Sequence, residues 1–207
     1  MKLFRHARNQ KGFTLVELAI VLVIIGIILG AVLKGQELIN NAKIKRLYNQ
    51  QREIMAALYT YYDRYSYFPG DDPNQTRWTG LTAGNANGLI AVGAASTAPN
   101  FACTATGTEQ CDLWGALRNA NIIAGSTTAG AAETFRNPTH SYGGSIAVSY
   151  YTQQGLTVNW IHFQNIPAET AQILDTQYDD GVYNTGSIRA SGTYTAGTTI
   201  ATLSFRL

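Results

Sequence analysis

Charged side chains are scarce in this sequence, since Asp, Glu, Lys and Arg together make up 14% of its 207 residues. Glycine, alanine, threonine, asparagine and tyrosine are plentiful instead. That balance is typical of a loop-rich domain outside the cytoplasm. After Tyr65 the chain has five basic and nine acidic side chains, a net charge of −4. A weakly acidic surface of this kind makes nucleic acid an unlikely partner.

The signatures of common enzyme sites are also missing. The three histidines and the scattered serines form no Gly-x-Ser-x-Gly elbow, and no glycine-rich phosphate loop precedes a helix. His140 and His162 are far from the two cysteines in sequence and sit in no zinc spacing. We therefore expect no enzyme activity and no required cofactor.

Proline is absent before Pro69, so nothing in the sequence interrupts a long N-terminal helix. The first part of this helix, residues 13–33, is apolar. A helix of these 21 residues would be about 31 Å long, enough to cross a hydrocarbon core of about 30 Å. Glu17 carries the one charge in the run. A carboxylate near a bilayer core costs about 2.5–3.5 kcal/mol, so we expect Glu17 to have a partner.

A basic leader, residues 1–12, precedes the apolar run. It carries four positive charges and no acid, which favours a cytoplasmic N-terminus and export of the rest. The second part of the helix, residues 34–67, is amphipathic. Its apolar side chains recur at helical spacing in one narrow stripe, which predicts a face packed on a domain. The stripe consists of Leu47, Ile54, Leu58, Tyr61 and Tyr65.

The junction between leader and helix reads Lys11-Gly-Phe-Thr-Leu-Val-Glu17. It closely resembles the N-terminus of the type IV pilin and type II secretion pseudopilin family, whose hallmark is Gly-Phe-Thr-Leu-x-Glu-Leu. The resemblance implies that a prepilin peptidase cuts between Gly12 and Phe13 and methylates the new amine of Phe13. It also implies that Glu17 neutralises the N-terminal ammonium of a neighbouring subunit during fibre assembly.

Two ordinary alternatives explain less of this N-terminus. A secretory signal peptide has a shorter apolar region that is closed by a small-x-small site, and neither feature is found here. A plain signal anchor for an extracytoplasmic binding or sensor domain needs only the charges and the length. It leaves the Gly-Phe junction and Glu17 unexplained. An anchored sensor would keep residues 1–12, whereas a pilin-like subunit would lose them.

Residues 68–207 are predicted to form one extracytoplasmic globular domain. Asp112 is expected to cap a short helix from Leu113 to Asn119. Strands are expected at 145–151, 156–163, 187–194 and 199–205, with a short helix over 167–175. The predicted fold class is therefore α+β, a pilin-like long helix packed on a small, mainly antiparallel sheet with a loop-rich insertion.

Cys103 and Cys111 are the only cysteines in the chain. The predicted topology places them outside the cytoplasm, where thiols are normally oxidised, so we expect a disulfide between them. The loop that this bond closes is small. On the chain-entropy model the bond contributes about 2–3 kcal/mol.

Asp175, Asp179 and Asp180 form the one acidic cluster with ligand-like spacing. If this segment loops, its three carboxylates could converge on calcium. The family resemblance adds weight to that possibility, because some pseudopilins hold calcium in C-terminal loops. The competing interpretation, which the sequence favours, is a helix end that leads into an Asp-Gly turn and needs no metal.

These patterns together predict a structural subunit of a type IV pilus or a type II secretion pseudopilus. Its expected partners are other pilins, prepilin peptidase and the inner membrane. Its expected location is the bacterial inner membrane, crossed once, and after assembly a periplasmic or cell-surface fibre.

Overall fold

The computed structural model describes residues 12–91 and 93–207. The predicted leader lies outside the described residues except for Gly12. The described chain forms two compact units, which divide between Ala42 and Lys43. The following elements occur in chain order: α1 (Leu15–Tyr65), a 3-10 turn (Gln75–Arg77), α2 (Glu109–Asn119), α3 (Ala132–Phe135), β1 (Ile146–Gln153), β2 (Leu156–Pro167), α4 (Ala168–Tyr178), β3 (Ile188–Ala190) and β4 (Thr199–Arg206).

The four strands form one antiparallel sheet in the order β1-β2-β4-β3. Gln154 and Gly155 join β1 to β2, and both have positive φ, at 48° and 80°. Two consecutive residues of positive φ match the right-handed twist of a tight hairpin. The long helix and this sheet confirm the predicted α+β, pilin-like fold class.

The core lies between the second half of α1 and one face of the sheet. Leu47, Leu58 and Tyr61 are completely buried, Ile54 is nearly so, and Tyr65 is half-buried. This confirms the apolar stripe read from the sequence. The sheet contributes the alternate residues of its central strands, which face one side because side chains alternate along a strand. These strand residues are Ile161, Phe163, Leu203 and Phe205.

The outer edge of β1 is covered by an irregular segment. Tyr150 forms backbone hydrogen bonds through its N–H to Ile90 O, at 2.7 Å, and through its carbonyl to Thr97 N, at 2.8 Å. The N–H of Thr152 donates to Ser96 Oγ at 2.9 Å. The segment therefore satisfies these three backbone groups, which an edge strand would otherwise leave unpaired.

The sequence predicts that Asp112 caps a helix that begins at Leu113, and this prediction is wrong. Helix α2 begins earlier, at Glu109, so Asp112 lies inside its first turn. Its carboxylate accepts hydrogen bonds from Thr106 Oγ1 at 2.6 Å and Gly107 N at 3.1 Å, and one from Thr82 Oγ1. Asp112 thus holds the loop before the helix, and its almost complete burial depends on these donors.

Three other elements differ in length from the expectation by three residues or more. Strand β2 continues to Pro167, four residues further than predicted, so Pro167 ends this strand and does not begin the helix. Helix α4 continues to Tyr178, three residues further than predicted. Strand β3 has three residues where eight were expected. The N–H of Ser191 still donates to Thr202 O at 2.9 Å, and the chain then bends at Ser191 and Gly192. The glycine weakens the continuation of the strand, because it has no side chain to pack on a neighbour.

Candidate functional site

The candidate site is the start of α1, where the apolar run begins. Gly12 and Phe13 precede the helix, and the Phe13 side chain is 84% exposed. A side-chain atom added at Gly12 would meet no other atom within 4 Å. The peptide bond between these two residues is therefore not blocked by any described part of the chain.

Thr14 and Glu17 bond to each other around the first turn of the helix. Thr14 donates to Glu17 Oε2 from its backbone N–H at 2.8 Å and from Oγ1 at 2.9 Å. The N–H of Glu17 in turn donates to Thr14 Oγ1 at 3.2 Å. This reciprocal pattern is a capping box, which satisfies two backbone donors that the start of a helix leaves without partners.

The capping box gives the Glu17 carboxylate hydrogen-bond donors within its own chain. The negative charge also lies at the positive end of the helix dipole, where it is stabilised. The sequence-based predictions assigned no function to Thr14, although the spacing Thr-x-x-Glu is the sequence signature of this cap. That signature was available in the sequence and identifies Thr14 as a further residue of the site.

The helix beyond this cap presents apolar side chains on every side. All large apolar side chains from Phe13 to Leu33 are exposed. Among the described residues α1 is the one helix long and apolar enough to span a membrane. Full burial of one such side chain gains about 1.5–3 kcal/mol, so a segment of this kind is stable only when lipid or protein covers it.

Cys103 and Cys111 form a disulfide bond, as the sequence predicted. Cys103 lies in the loop before α2, and Cys111 lies in the first turn of that helix. The N–H of Cys103 also donates to Asn137 Oδ1 at 2.9 Å. The bond therefore fastens this loop to the most deeply buried helix of the second unit, whose residues from Gln110 to Arg118 are all buried.

The three aspartates of the acidic cluster meet at the end of α4. Their ligand atoms lie within 4.8 Å of one another. Asp175 is buried and accepts hydrogen bonds from Tyr194 Oη at 2.7 Å and Gly181 N at 3.2 Å. Burial raises the pKa of Asp175 above its usual range.

Asp179 and Asp180 also have donors from their own loop. Asp179 accepts hydrogen bonds from the N–H groups of Ser187 and Ile188 at 2.6 and 2.8 Å. Asp180 accepts from Thr185 Oγ1 at 2.6 Å, which is the main reason that its pKa is lowered. Asp180 also accepts a hydrogen bond from Val182 N at 2.9 Å, so an Asp-Gly turn follows the helix end.

A second group of carboxylates organises the loop between Gly84 and Ala91. Asp71 is almost fully buried and accepts hydrogen bonds from the N–H groups of Asn87 and Gly88, at 3.0 and 2.8 Å. Glu109 accepts from Ala91 N at 2.9 Å. Burial raises the pKa of Glu109 to about 7, and the nearby Asp71 adds to that rise. The loop is therefore closed over two carboxyl groups that burial makes easier to protonate.

His162 is the most deeply buried ionisable side chain of the sheet. Its ring nitrogens lie 2.9 Å from Ser149 Oγ and 2.8 Å from Ser204 Oγ, so a row of polar groups crosses three strands. Burial lowers the pKa of His162 to about 3. With no exposed surface, this row is a satisfied structural network rather than a reactive site.

No curated protein and no solved structure matches the chain. A family model does match, and it is described as the prokaryotic N-terminal methylation motif. The match covers residues 7–33, which include the Gly12–Phe13 junction, Thr14, Glu17 and the apolar run. This motif is the one that marks pilin-type structural subunits. The chain therefore carries, over residues 7–33, the N-terminal signal of type IV pilins and pseudopilins.

Proposed function

We propose that this protein is a fibre subunit of a type IV pilus or a type II secretion pseudopilus. Residues 1–12 are a leader that prepilin peptidase removes between Gly12 and Phe13, and the new amine of Phe13 is methylated. Residues 13–33 anchor the subunit in the inner membrane with the N-terminus in the cytoplasm. Residues 34–67 connect that anchor to an extracytoplasmic domain, residues 68–207.

The observation that carries the proposal is the combination of an exposed apolar helix with one carboxylate at its start. The methylation motif covers the same residues. Before assembly, lipid covers the apolar surface. In a fibre, the same surface of neighbouring subunits takes the place of lipid, so the helices form the core and the domains the outside.

Glu17 gives such a core its register. In the free subunit the capping box supplies donors to the carboxylate but no positive charge. The methylated amine of Phe13 on a neighbour is an ammonium that provides one. A charge-assisted hydrogen bond is about twice as strong as a neutral one, and low dielectric strengthens it further. Each subunit brings one ammonium and one carboxylate, so each addition repeats the same axial step.

Intact mass of the protein from membranes and from sheared fibres tests the proposal. We expect a chain that begins at Phe13 and carries one extra methyl group. A Gly12→Val variant serves as the control, because a β-branched residue obstructs the junction while the membrane segment is unchanged. A mature protein that still begins at Met1 would contradict the proposal and favour an anchored sensor domain.

A further inference from the structure

A small cleft lies between α1 and the ends of β3 and β4 in the second unit. It has a volume of about 230 Å³, which suits a ligand smaller than the molecules held by pockets of about 300–1,000 Å³. One wall is a single face of α1, whose residues recur at the spacing i, i+3, i+4 and i+7. These residues are Tyr48, Gln51, Arg52 and Met55. The ring of Tyr178, at the end of α4, also lines the cleft and stacks on that of Tyr48, with centroids 3.5 Å apart.

The facing wall comes from the paired ends of β3 and β4. Ile188 pairs with Phe205 across the two strands, and both side chains line the cleft and are almost fully buried. Arg206 follows Phe205, and its N–H donates to Ser187 O at 2.8 Å, so these two lining residues lie side by side. This wall therefore combines a buried apolar surface with an exposed polar margin.

The Gln51 side chain marks the cleft as a binding site. Gln51 is 5% exposed and lines the cleft. Its amide has no hydrogen-bond partner within the part of the chain that the structure describes. Buried polar groups nearly always have a partner, because an unpaired one costs free energy. A molecule that fills the cleft would supply the partner that this amide lacks.

The charged groups of the cleft are both positive. Arg52 and Arg206 line it from opposite walls, and neither side chain forms a salt bridge or a hydrogen bond with a described residue. No carboxylate lines the cleft among the described residues. Asp179 accepts hydrogen bonds from the N–H groups of Ser187 and Ile188 but lies outside the lining. Since an arginine offers only donors, in a planar fork that matches a carboxylate, the cleft calls for an anion.

We propose that this cleft binds a small organic carboxylate with a flat apolar body. The carboxylate lies between the guanidinium groups of Arg52 and Arg206, and the Gln51 amide donates to it. The apolar body packs on Ile188 and Phe205. Charge-assisted hydrogen bonds of this kind are the strong ones, and the apolar contact selects an organic anion over an inorganic one. The inference does not depend on the proposed function, because the whole cleft lies within the second unit of one chain.

Equilibrium dialysis of the full-length protein in a neutral detergent tests this site, with radiolabelled benzoate as the probe. Micelles without protein give the background. We expect saturable binding of one benzoate per chain. Benzamide has the same shape without the charge and should compete roughly tenfold more weakly or less well still. The absence of saturable binding, or equally strong competition by benzamide or by inorganic phosphate, would overturn the proposal.

Variants of the lining residues locate the bound molecule. Arg52 and Arg206 are exposed, so Arg52→Gln and Arg206→Gln should leave the fold intact while each weakens benzoate binding by roughly tenfold or more. Gln51→Leu keeps the size of the side chain and should also weaken binding. Arg46→Gln is the matched control, because it removes the same charge from an exposed position of α1 outside the cleft. Benzoate binding by both cleft arginine variants as strong as that of Arg46→Gln would refute the site.

Discussion

The two units of this chain use apolar side chains in opposite ways. After Ala42 the large apolar residues gather in one core, and only five of those described are exposed. Before Ala42 every described large apolar residue from Phe13 onward is exposed. The second unit therefore has what it needs to fold alone, whereas the first requires lipid or other chains around it.

The two units also differ in where the hydrogen-bond donors to their carboxylates come from. In the second unit the carboxylates of Asp71, Asp112 and Asp175 are buried with donors from distant parts of the chain, which for Asp112 is Thr82. Among the described residues of the first unit, the donors to Glu17 come from Thr14, three residues away. Changes in one unit should consequently leave the other unaffected, and the following predictions test that separation.

We expect Glu17→Ala to lower assembly into fibres and to leave the folding of the second unit unchanged. A hydrogen bond to a charged group contributes about 1.5–3 kcal/mol, so its loss should lower incorporation into fibres by roughly ten- to a hundredfold. Glu17→Gln is the matched control, since Gln can complete the capping box but carries no charge. Quantified sheared fractions measure both variants. Normal incorporation of Glu17→Gln would show that the cap matters and the charge does not.

Trp114→Ala should have the largest effect on the second unit. Trp114 is fully buried in α2, and truncation of such a side chain to Ala costs about 3–5 kcal/mol. Thermal unfolding followed by circular dichroism in detergent measures the loss. Leu22→Ala, in the exposed part of α1, is the control and should leave the unfolding of the second unit unchanged. A similar loss of thermal stability in both variants would show that the two units do not fold independently.

Removing the disulfide should have an intermediate effect. The bond closes a loop with a sequence separation of 8, so Cys103→Ser with Cys111→Ser should lower the free energy of unfolding by about 2–3 kcal/mol. Reduction of the wild-type protein should lower it by a similar amount. Free thiols in protein taken from fibres, detected by mass after alkylation, would argue against the bond in the exported subunit.

The smallest expected effect is a pH dependence that Glu109 introduces. Its pKa is raised from 4.5 to about 7 on folding. The contribution of Glu109 to the free energy of unfolding is therefore complete below about pH 4.5 and is lost as the pH rises through about 7. Glu109→Gln should remove this part of the dependence and make the second unit more stable than wild type at alkaline pH. Parallel pH profiles of unfolding for the two proteins would contradict the assigned role.

Local patterns in the sequence predicted much of this structure. The spacing of Leu47, Ile54 and Leu58 identified the buried stripe, and the β-branched and aromatic residues on either side of Gln154 identified strands β1 and β2. The predicted start of α2 was wrong because the donors that hold Asp112 include Thr82, which is 30 residues away. The loop over Asp71 and Glu109 could not be predicted for the same reason, since its partners meet only in the folded chain.

The residues of the candidate site could be predicted by the same local reasoning. Gly12, Phe13 and Glu17 were identified as one motif with a fixed order. The capping box also follows from sequence spacing, but its geometry required the helix to begin at Leu15. The cysteine pair was predictable because the chain has no other cysteine.

The covered edge of β1 matters for the life of the subunit before assembly. An open edge strand recruits strands from other chains without regard to their order. Here the segment that includes Ile90 and Thr97 occupies that edge, and the opposite edge strand, β3, has only three residues. If the proposed function holds, many such domains stand side by side on a membrane, and neither described edge of the sheet offers them a long open strand for pairing.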